Sequence, residues 1–206
     1  LLRLFSIFTL LLLSGCGGDR SAAGENELGC PEVIGANSFS SCVLAARNDM
    51  PACFVIEGVN AKMYGVIGSN IGQKVETLLS QCISVRNIQM IEVPGSEDDE
   101  ANLSALLTVY RAGLNTELLV NSSVESGGTD FFLAGKNRNV STGARIGVHS
   151  WAEEDSNGNS VEGSSFHRGH EKHQFYIDTY VQLGMSQQNA ENFYYFTINA
   201  APATRR

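Results

Sequence analysis

Basic residues are scarce in this chain. Lys and Arg total 14 against 22 Asp and Glu in 206 residues, which gives a formal net charge of −8 at pH 7. A surface with this balance does not attract nucleic acid or anionic lipid headgroups. We therefore expect no nucleic-acid partner, and any attachment to a membrane should be covalent.

Motifs for nucleotides and metals are also missing. No Gly-x-x-x-x-Gly-Lys-[Ser/Thr] segment is present, so we expect no bound nucleotide, and no Cys-x-x-Cys spacing indicates zinc. His167, His170 and His173 recur every three residues, but on a helix the third histidine turns away from the first, which favours surface positions or a helix cap. The acidic run 97–100 lacks the alternating spacing of a calcium loop and suits a helix start. We expect no metal and no cofactor.

The apolar run at the start is too short to cross a bilayer, which takes about 20 apolar residues. One basic residue, Arg3, precedes an apolar core that ends in Leu-Ser-Gly-Cys at Cys16. This arrangement is typical of a secretory signal, and its ending resembles the bacterial lipobox, whose cysteine is acylated. We expect residues 1–15 to be removed, Cys16 to carry a lipid and residues 16–37 to form a tether. The protein would then lie in the bacterial cell envelope, facing the periplasm or the cell surface.

Four cysteines remain once Cys16 is set aside. Cys30, Cys42, Cys53 and Cys82 are an even number in a compartment that permits disulfides. Three pairings of them are possible, and the sequence does not choose among them.

The remainder, 38–206, has the length of one domain. Apolar patterns predict strands over 52–58, 63–68, 88–93, 116–120 and 145–150, and helices over 69–82, 99–113, 128–135, 170–184 and 186–198. Alternating strands and helices predict an α/β fold in which helices flank a parallel sheet. The polar segment 151–165 is expected to be a surface loop. The aromatic run 193–196 should belong to the core or to an oligomer interface.

Candidate catalytic residues fall where predicted strands end. Ser126 precedes two glycines at the start of a predicted helix, where backbone N–H groups favour a developing oxyanion. His149 closes a strand and is a candidate base for that serine. Since neither Ser122 nor Ser123 precedes a glycine pair, both are weaker candidates.

The stretch 93–151 resembles the ClpP/crotonase superfamily, in particular the secreted ClpP-like serine peptidases of bacteria. The matching features are Pro94-Gly95-Ser96 after a strand, Ser126 opening a helix that ends in Ala134-Gly135, and the strand 144–149 with its terminal histidine. The resemblance implies a ClpP/crotonase-like fold with Ser126 as nucleophile and His149 as general base. It also implies that the backbone N–H groups of Gly95 and Gly127 form the oxyanion hole. Val124 stands where an α/β-hydrolase elbow has its first glycine, so that family is not matched.

Two positions depart from the family pattern. Ser96 replaces the second glycine of the oxyanion turn, which requires a negative φ at that residue. The family's third triad residue is an acid, but its position falls near Asn199, and no Asp or Glu lies beyond Glu191. We expect either that the coding sequence is truncated here or that Asn199, Asp178 or Asp155 orients the histidine.

Three functions are consistent with these patterns. The favoured one is an envelope serine hydrolase that acts on peptide or protein substrates, either as a monomer or as a homo-oligomer. The absent acid favours a second, a binding or scaffold lipoprotein that has lost hydrolysis. A CoA enzyme of the crotonase type is the weakest, because acyl-CoA is scarce in the envelope.

Overall fold

A computed structural model describes residues 29–203 of the chain. The predicted signal peptide, the predicted lipid site Cys16 and the tether up to residue 28 lie outside the described residues. None of the helices over 29–203 has the length and apolar character needed to traverse a bilayer.

Ten strands and six α-helices form within the described part. The strands are β1 (Val33–Ile34), β2 (Cys53–Glu57), β3 (Asn60–Tyr64), β4 (Asn87–Val93), β5 (Asn115–Leu118), β6 (Ser123–Glu125), β7 (Arg138–Val140), β8 (Arg145–Gly147), β9 (Ala152–Glu154) and β10 (Ser160–Glu162). The helices are α1 (Phe39–Val43), α2 (Ile71–Gln81), α3 (Asp99–Ala112), α4 (Gly127–Phe132), α5 (Glu171–Gln182) and α6 (Gln187–Ala200), with 3₁₀ turns at Ala46–Asn48 and Gly163–Ser165.

Eight of these strands build one sheet that forks at β4. The first half of β4, residues 87–89, pairs with β5, and β5 pairs with β7. The second half, residues 92–93, pairs with β6, and β6 pairs with β8. All of these pairings and the β3–β4 pairing are parallel. The predicted single α/β domain with a sheet flanked by helices is confirmed.

The sheet is not parallel throughout, which corrects the sequence prediction. β1 pairs with β2 and β2 with β3 in antiparallel fashion. Only Gly58 and Val59 connect β2 to β3, and so short a connection can join antiparallel strands but not parallel ones. Gly58 supplies the positive φ, 60°, that this turn uses.

The helices α2 and α3 begin and end close to where the sequence predicted. Asp98 caps α3 by accepting a hydrogen bond from the Ala101 N–H, and acids fill the first turn as expected. Gly113 ends the helix in the left-handed conformation with a φ of 74°. The apolar faces of both helices cover the sheet and bury Val75, Leu78, Leu103 and Leu106.

Two disulfides select one of the three possible pairings. Cys30 bonds to Cys82 after α2, and Cys42 bonds to Cys53 in β2. The first bond and the pairing of β1 with β2 attach residues 30–34 to the domain. The folded part of the chain therefore begins before the predicted end of the tether at residue 37.

The polar segment after Trp151 was predicted to be a surface loop, but part of it forms regular structure. β9 and β10 pair as a small antiparallel hairpin. Asp155 holds its turn by accepting hydrogen bonds from the backbone N–H groups of Asn157 and Asn159. An Asx-type turn of this kind stabilises a hairpin even where few apolar residues are available.

Candidate functional site

Ser126 lies in a strained turn between β6 and α4. Its backbone has a φ of 51° and a ψ of −129°, a combination that a side-chain-bearing residue rarely adopts. Strain of this kind costs about 1–3 kcal/mol and clusters at functional sites. Within residues 29–203 the Ser126 hydroxyl has no hydrogen-bond partner and does not cap its own helix. The turn therefore presents a free hydroxyl at the beginning of a helix.

The two glycines after Ser126 permit close packing of α4. A Cβ at Gly128 would lie 2.4 Å from the backbone oxygen of Val93, and a Cβ at Gly127 would lie 2.1 Å from the Oγ of Ser96. Contacts this short are not available to any larger residue. The buried side chain of Asn102 also donates to the carbonyl oxygen of Gly127 at 2.9 Å. The glycine pair thus brings the start of α4 against the end of β4.

One carbonyl group ties the serine turn to the strand that leads to His149. The Gly147 oxygen accepts from the Ser126 N–H at 3.1 Å and from the Thr129 hydroxyl at 2.8 Å. Gly147 is the last residue of β8 and stands two residues before His149. The serine and the histidine are therefore held by adjoining backbone.

His149 is oriented by a backbone carbonyl group. Its Nδ1 lies 2.6 Å from the oxygen of Ser150. Because a carbonyl oxygen can only accept, this contact places a proton on Nδ1, and in the neutral ring Nε2 then holds the lone pair. The Ser150 N–H in turn donates to the Ala201 oxygen at 2.8 Å, and the Ser150 hydroxyl accepts from the Ser164 N–H. A general base that acts through Nε2 needs this tautomer.

The turn after β4 approaches Ser126 from the other side. Gly95 has a φ of 151°, and a Cβ there would lie 3.3 Å from the Cβ of Ser126. Across residues 29–203 the N–H groups of Gly95 and Gly127 donate to no protein acceptor. Ser96 meets the condition set by the sequence, since the described non-glycine residues with positive φ are Asp49, Asn121 and Ser126.

Ser126 and His149 both line one cleft of about 460 Å³. The proline and glycine of the β4 turn, the carboxylates of Glu97 and Glu125 and the ring of Trp151 also line it. A smaller cavity of about 30 Å³ adjoins it and shares Asp99, Ser126, His149 and Trp151. We call this smaller cavity the inner pocket; its further lining residues are Gly127, Thr129, Asp130, Val148, Tyr176, Tyr180, Tyr194, Thr197 and Ile198.

Two carboxylates of the inner pocket are paired with tyrosines of α5. The Tyr176 hydroxyl donates to Asp99 at 2.5 Å, and the Tyr180 hydroxyl donates to Asp130 at 2.6 Å. Asp99 also accepts a hydrogen bond from the Ser96 hydroxyl. Burial and the neighbouring carboxylates raise the pKa of both tyrosines, so these tyrosines remain neutral donors.

Asp130 has an unusual acidity for a carboxyl group. Burial raises its pKa to about 7; the Tyr180 hydrogen bond opposes this shift and the charge of Asp99 adds to it. Because the folded-state pKa lies above the unfolded value of 3.8, the folded chain holds a proton that the unfolded chain has released. Stability from this group is fully present below about pH 4 and is lost as the pH rises to 7 and beyond.

Asp130→Asn is expected to remove this pH dependence, since asparagine is a neutral isostere that can still accept from Tyr180. Between pH 6 and pH 8 the wild type should lose about 1.4 kcal/mol relative to the variant, because its folded state releases one proton about pH 7. Urea unfolding at pH 6 and pH 8 measures the difference. Parallel pH profiles of the two proteins would contradict the raised pKa.

The predicted candidates for the third triad residue are not brought to the cleft. Asn199 donates to the Tyr195 carbonyl, Asp178 accepts from Gln174, and Asp155 is occupied in the β9–β10 turn. None of the three lines the cleft or the inner pocket. The rival Ser122 is buried and accepts from the Leu119 N–H, and Ser123 is buried in β6.

The three histidines between α4 and α6 have separate roles. His170 caps α5 by accepting from the Lys172 N–H, as one sequence interpretation proposed. His167 is exposed, but His173 is buried and hydrogen-bonds to Tyr194 at 2.7 Å, so it is not a surface residue. Burial lowers the pKa of His173. Among residues 29–203 no group of three potential ligands could hold a metal ion.

Several lining residues were missed by sequence reasoning. Asp130 stands four residues after Ser126, one helical turn away on the same face, and Tyr176 and Tyr180 have the same spacing on α5. That spacing was a usable signal, but nothing in the sequence showed that α5 would face α4. Tyr194, from the predicted aromatic run, belongs to the core and receives a hydrogen bond from Trp151.

Comparisons with known proteins find no matching family model and no matching curated protein. Among solved structures, the chain is similar to a membrane-bound stomatin-specific protease in complex with a substrate peptide, with a TM-score of 0.43 and 15% identity over 68% of this chain and 67% of the other. It is also similar to enoyl-CoA hydratase from Bacillus halodurans, with a TM-score of 0.32 and 8% identity over 69% and 84%. Likenesses this low say nothing about function, which we infer from the cleft itself.

Proposed function

We propose that the chain is a serine hydrolase that acts on peptide or protein substrates, with Ser126 as its nucleophile. The observation that carries this proposal is the strained backbone of Ser126, whose hydroxyl has no hydrogen-bond partner among residues 29–203 and lies in the same cleft as His149. A residue that served only as a helix cap would not need a positive φ, because N-cap residues normally adopt extended backbone. The strain is accounted for if the hydroxyl must face a substrate.

In the proposed reaction His149 acts as base and then as acid. Its Nε2 takes the proton from the Ser126 hydroxyl as Oγ attacks the substrate carbonyl carbon. The N–H groups of Gly95 and Gly127 donate to the resulting oxyanion. His149 returns the proton to the leaving amine, which leaves an acyl group on Ser126. Water activated by the same imidazole then releases the acid and restores the serine.

The Ser150 carbonyl fills one of the two roles of a triad acid, the orientation of the histidine. It fixes the tautomer and the orientation of His149, but it carries only a partial negative charge. It therefore stabilises the imidazolium of the transition state less than a carboxylate would. We expect a slower enzyme than a full triad would give, working through a Ser-His pair.

A fluorophosphonate probe tests the nucleophile. The probe should phosphonylate the Ser126 oxygen of the wild type with loss of fluoride, and Ser126→Ala should remove all labelling. Ser123→Ala is the matched control, because Ser123 is buried in β6 three residues earlier and should not react. Labelling that survives in Ser126→Ala, or a folded wild type that never reacts, would exclude the proposal.

A binding or scaffold protein is the second candidate. The observation in its favour is that, within residues 29–203, no carboxylate hydrogen-bonds to His149. A protein of this kind would keep the cleft and bind peptides without cleaving them. The same probe separates the two functions, since the scaffold would fold normally and remain unlabelled.

We also propose that the protein is held at a bacterial envelope by a lipid on Cys16. Two disulfides support an oxidising compartment, because such bonds rarely persist in the cytosol. Cys16→Ser should move the protein from the membrane fraction to the soluble fraction of cells that express it. An unchanged distribution would rule out the lipid. The proposed substrate-bearing partner is then an envelope peptide or protein, and self-association into a homo-oligomer is a further proposal.

A further inference from the structure

The inner pocket opens beside Ser126 and is closed by large side chains. Tyr180, Tyr194 and Ile198 line it and are almost fully buried: the two tyrosines are 1% exposed and the isoleucine is 4% exposed. The hydrogen bonds of Tyr180 to Asp130 and of Trp151 to Tyr194 fix the positions of these rings. These two rings do not move readily to enlarge the pocket, because each would have to break a hydrogen bond and lose its packing contacts.

The volume of the pocket limits what can enter. Its cavity measures about 30 Å³. A cavity that holds a benzene molecule measures about 150 Å³, about five times as much. A methyl or hydroxymethyl group fits this space, whereas the four carbons of a leucine side chain or the seven of a phenylalanine do not.

We infer that the inner pocket receives the side chain on the acyl side of the bond that is cleaved, and that it accepts only glycine, alanine or serine there. This inference rests on the proposed function, since it assumes that the substrate carbonyl is attacked by Ser126. The pocket is contiguous with the cleft at Ser126 and His149, so a side chain next to the attacked carbonyl has this space beside it. The carboxylate of Asp99 also disfavours an acidic side chain in the pocket.

Ile198 determines the size limit on the α6 side. Replacement by alanine removes three carbons from the wall, which equals the number of carbons that leucine adds to alanine in a substrate. Ile177 is a matched control: it is also an isoleucine, is also 4% exposed, lies on α5 and does not line the pocket. Both substitutions leave a cavity of similar size in the protein. Only Ile198→Ala should alter substrate choice.

A series of N-acetyl amino acid p-nitrophenyl esters tests the inference. Each ester transfers its acyl group to Ser126 with release of p-nitrophenolate, and water then hydrolyses the acyl-enzyme. For the wild type we expect kcat/KM for the alanine ester to exceed that for the leucine ester at least about tenfold. Ile198→Ala should reduce or reverse this ratio, and Ile177→Ala should leave it unchanged. If Ile198→Ala does not fold, the inference is tested by the wild-type ranking of the esters and by Ile198→Val. That smaller change should shift the ratio in the same direction but by less.

The outcomes distinguish this inference from the function on which it rests. Hydrolysis that depends on Ser126 but shows no preference for small side chains would overturn the pocket assignment and leave the hydrolase standing. A changed ratio in Ile177→Ala, equal to that in Ile198→Ala, would also overturn it, since a general loosening would then explain the effect. Absence of both ester hydrolysis and fluorophosphonate labelling at Ser126 would overturn the two together.

Discussion

Replacing His149 with alanine is expected to slow fluorophosphonate labelling of Ser126 by a factor of roughly 10²–10⁴, the contribution usual for a positioned general base. The physical reason is that a serine hydroxyl is a weak nucleophile until a base takes its proton. Loss of the ring should not disrupt the fold, because within residues 29–203 its one hydrogen bond is to the neighbouring Ser150 oxygen. The measurement is the second-order rate constant of labelling at neutral pH.

His167→Ala is the control for this loss. His167 is an exposed histidine that does not line the cleft, so its removal should leave the labelling rate unchanged. Added imidazole should restore part of the rate in His149→Ala, because the small base can enter the vacated space. Equal labelling rates in His149→Ala and the wild type would show that His149 is not the general base.

Removing the disulfide between Cys30 and Cys82 should cost about 4 kcal/mol of stability. The bond closes a loop with a sequence separation of 52 residues, and the entropy that a crosslink removes from the unfolded chain grows with the length of that loop. The bond between Cys42 and Cys53 closes 11 residues and should contribute about 3 kcal/mol. Urea unfolding of the two double alanine variants, Cys30→Ala with Cys82→Ala and Cys42→Ala with Cys53→Ala, measures both losses.

The order of the two losses is the informative result. If strain or packing outweighed loop closure, the shorter loop could contribute more, and the ranking would be reversed. A reducing agent supplies a second measurement, since it should destabilise the wild type and leave unchanged a third variant in which all four of these cysteines are replaced by alanine. Insensitivity of the wild type to reduction would contradict the pairing.

The sequence predicted the elements that have a strong local pattern. Helices α2 and α3 combine an apolar face with clear ends, such as Asp98 and Gly113, and their bounds were predicted within about two residues. The strands β6 and β7 were missed because each has three residues, too few for a period to appear. The antiparallel start of the sheet was also missed, although the two-residue link between β2 and β3 was visible.

Only those residues of the candidate site that have a local sequence signal could be predicted. Ser126 and His149 were identified by their places beside glycines and at a strand end, and the structure brings both to one cleft. The missing acid could not be replaced from sequence, because the group that orients His149 is the main chain of Ser150, which every residue type possesses. The tyrosines of the inner pocket depend on how α5 and α6 pack against α4. That packing is tertiary information without a short sequence signal.

The hydrogen bond from the Ser150 amide to the Ala201 carbonyl gives the far end of α6 a mechanical connection to the imidazole. The amide that makes this bond and the carbonyl oxygen that contacts the ring both belong to Ser150. A displacement of the end of α6 that kept this bond would therefore move Ser150, and with it the carbonyl oxygen that holds the His149 ring.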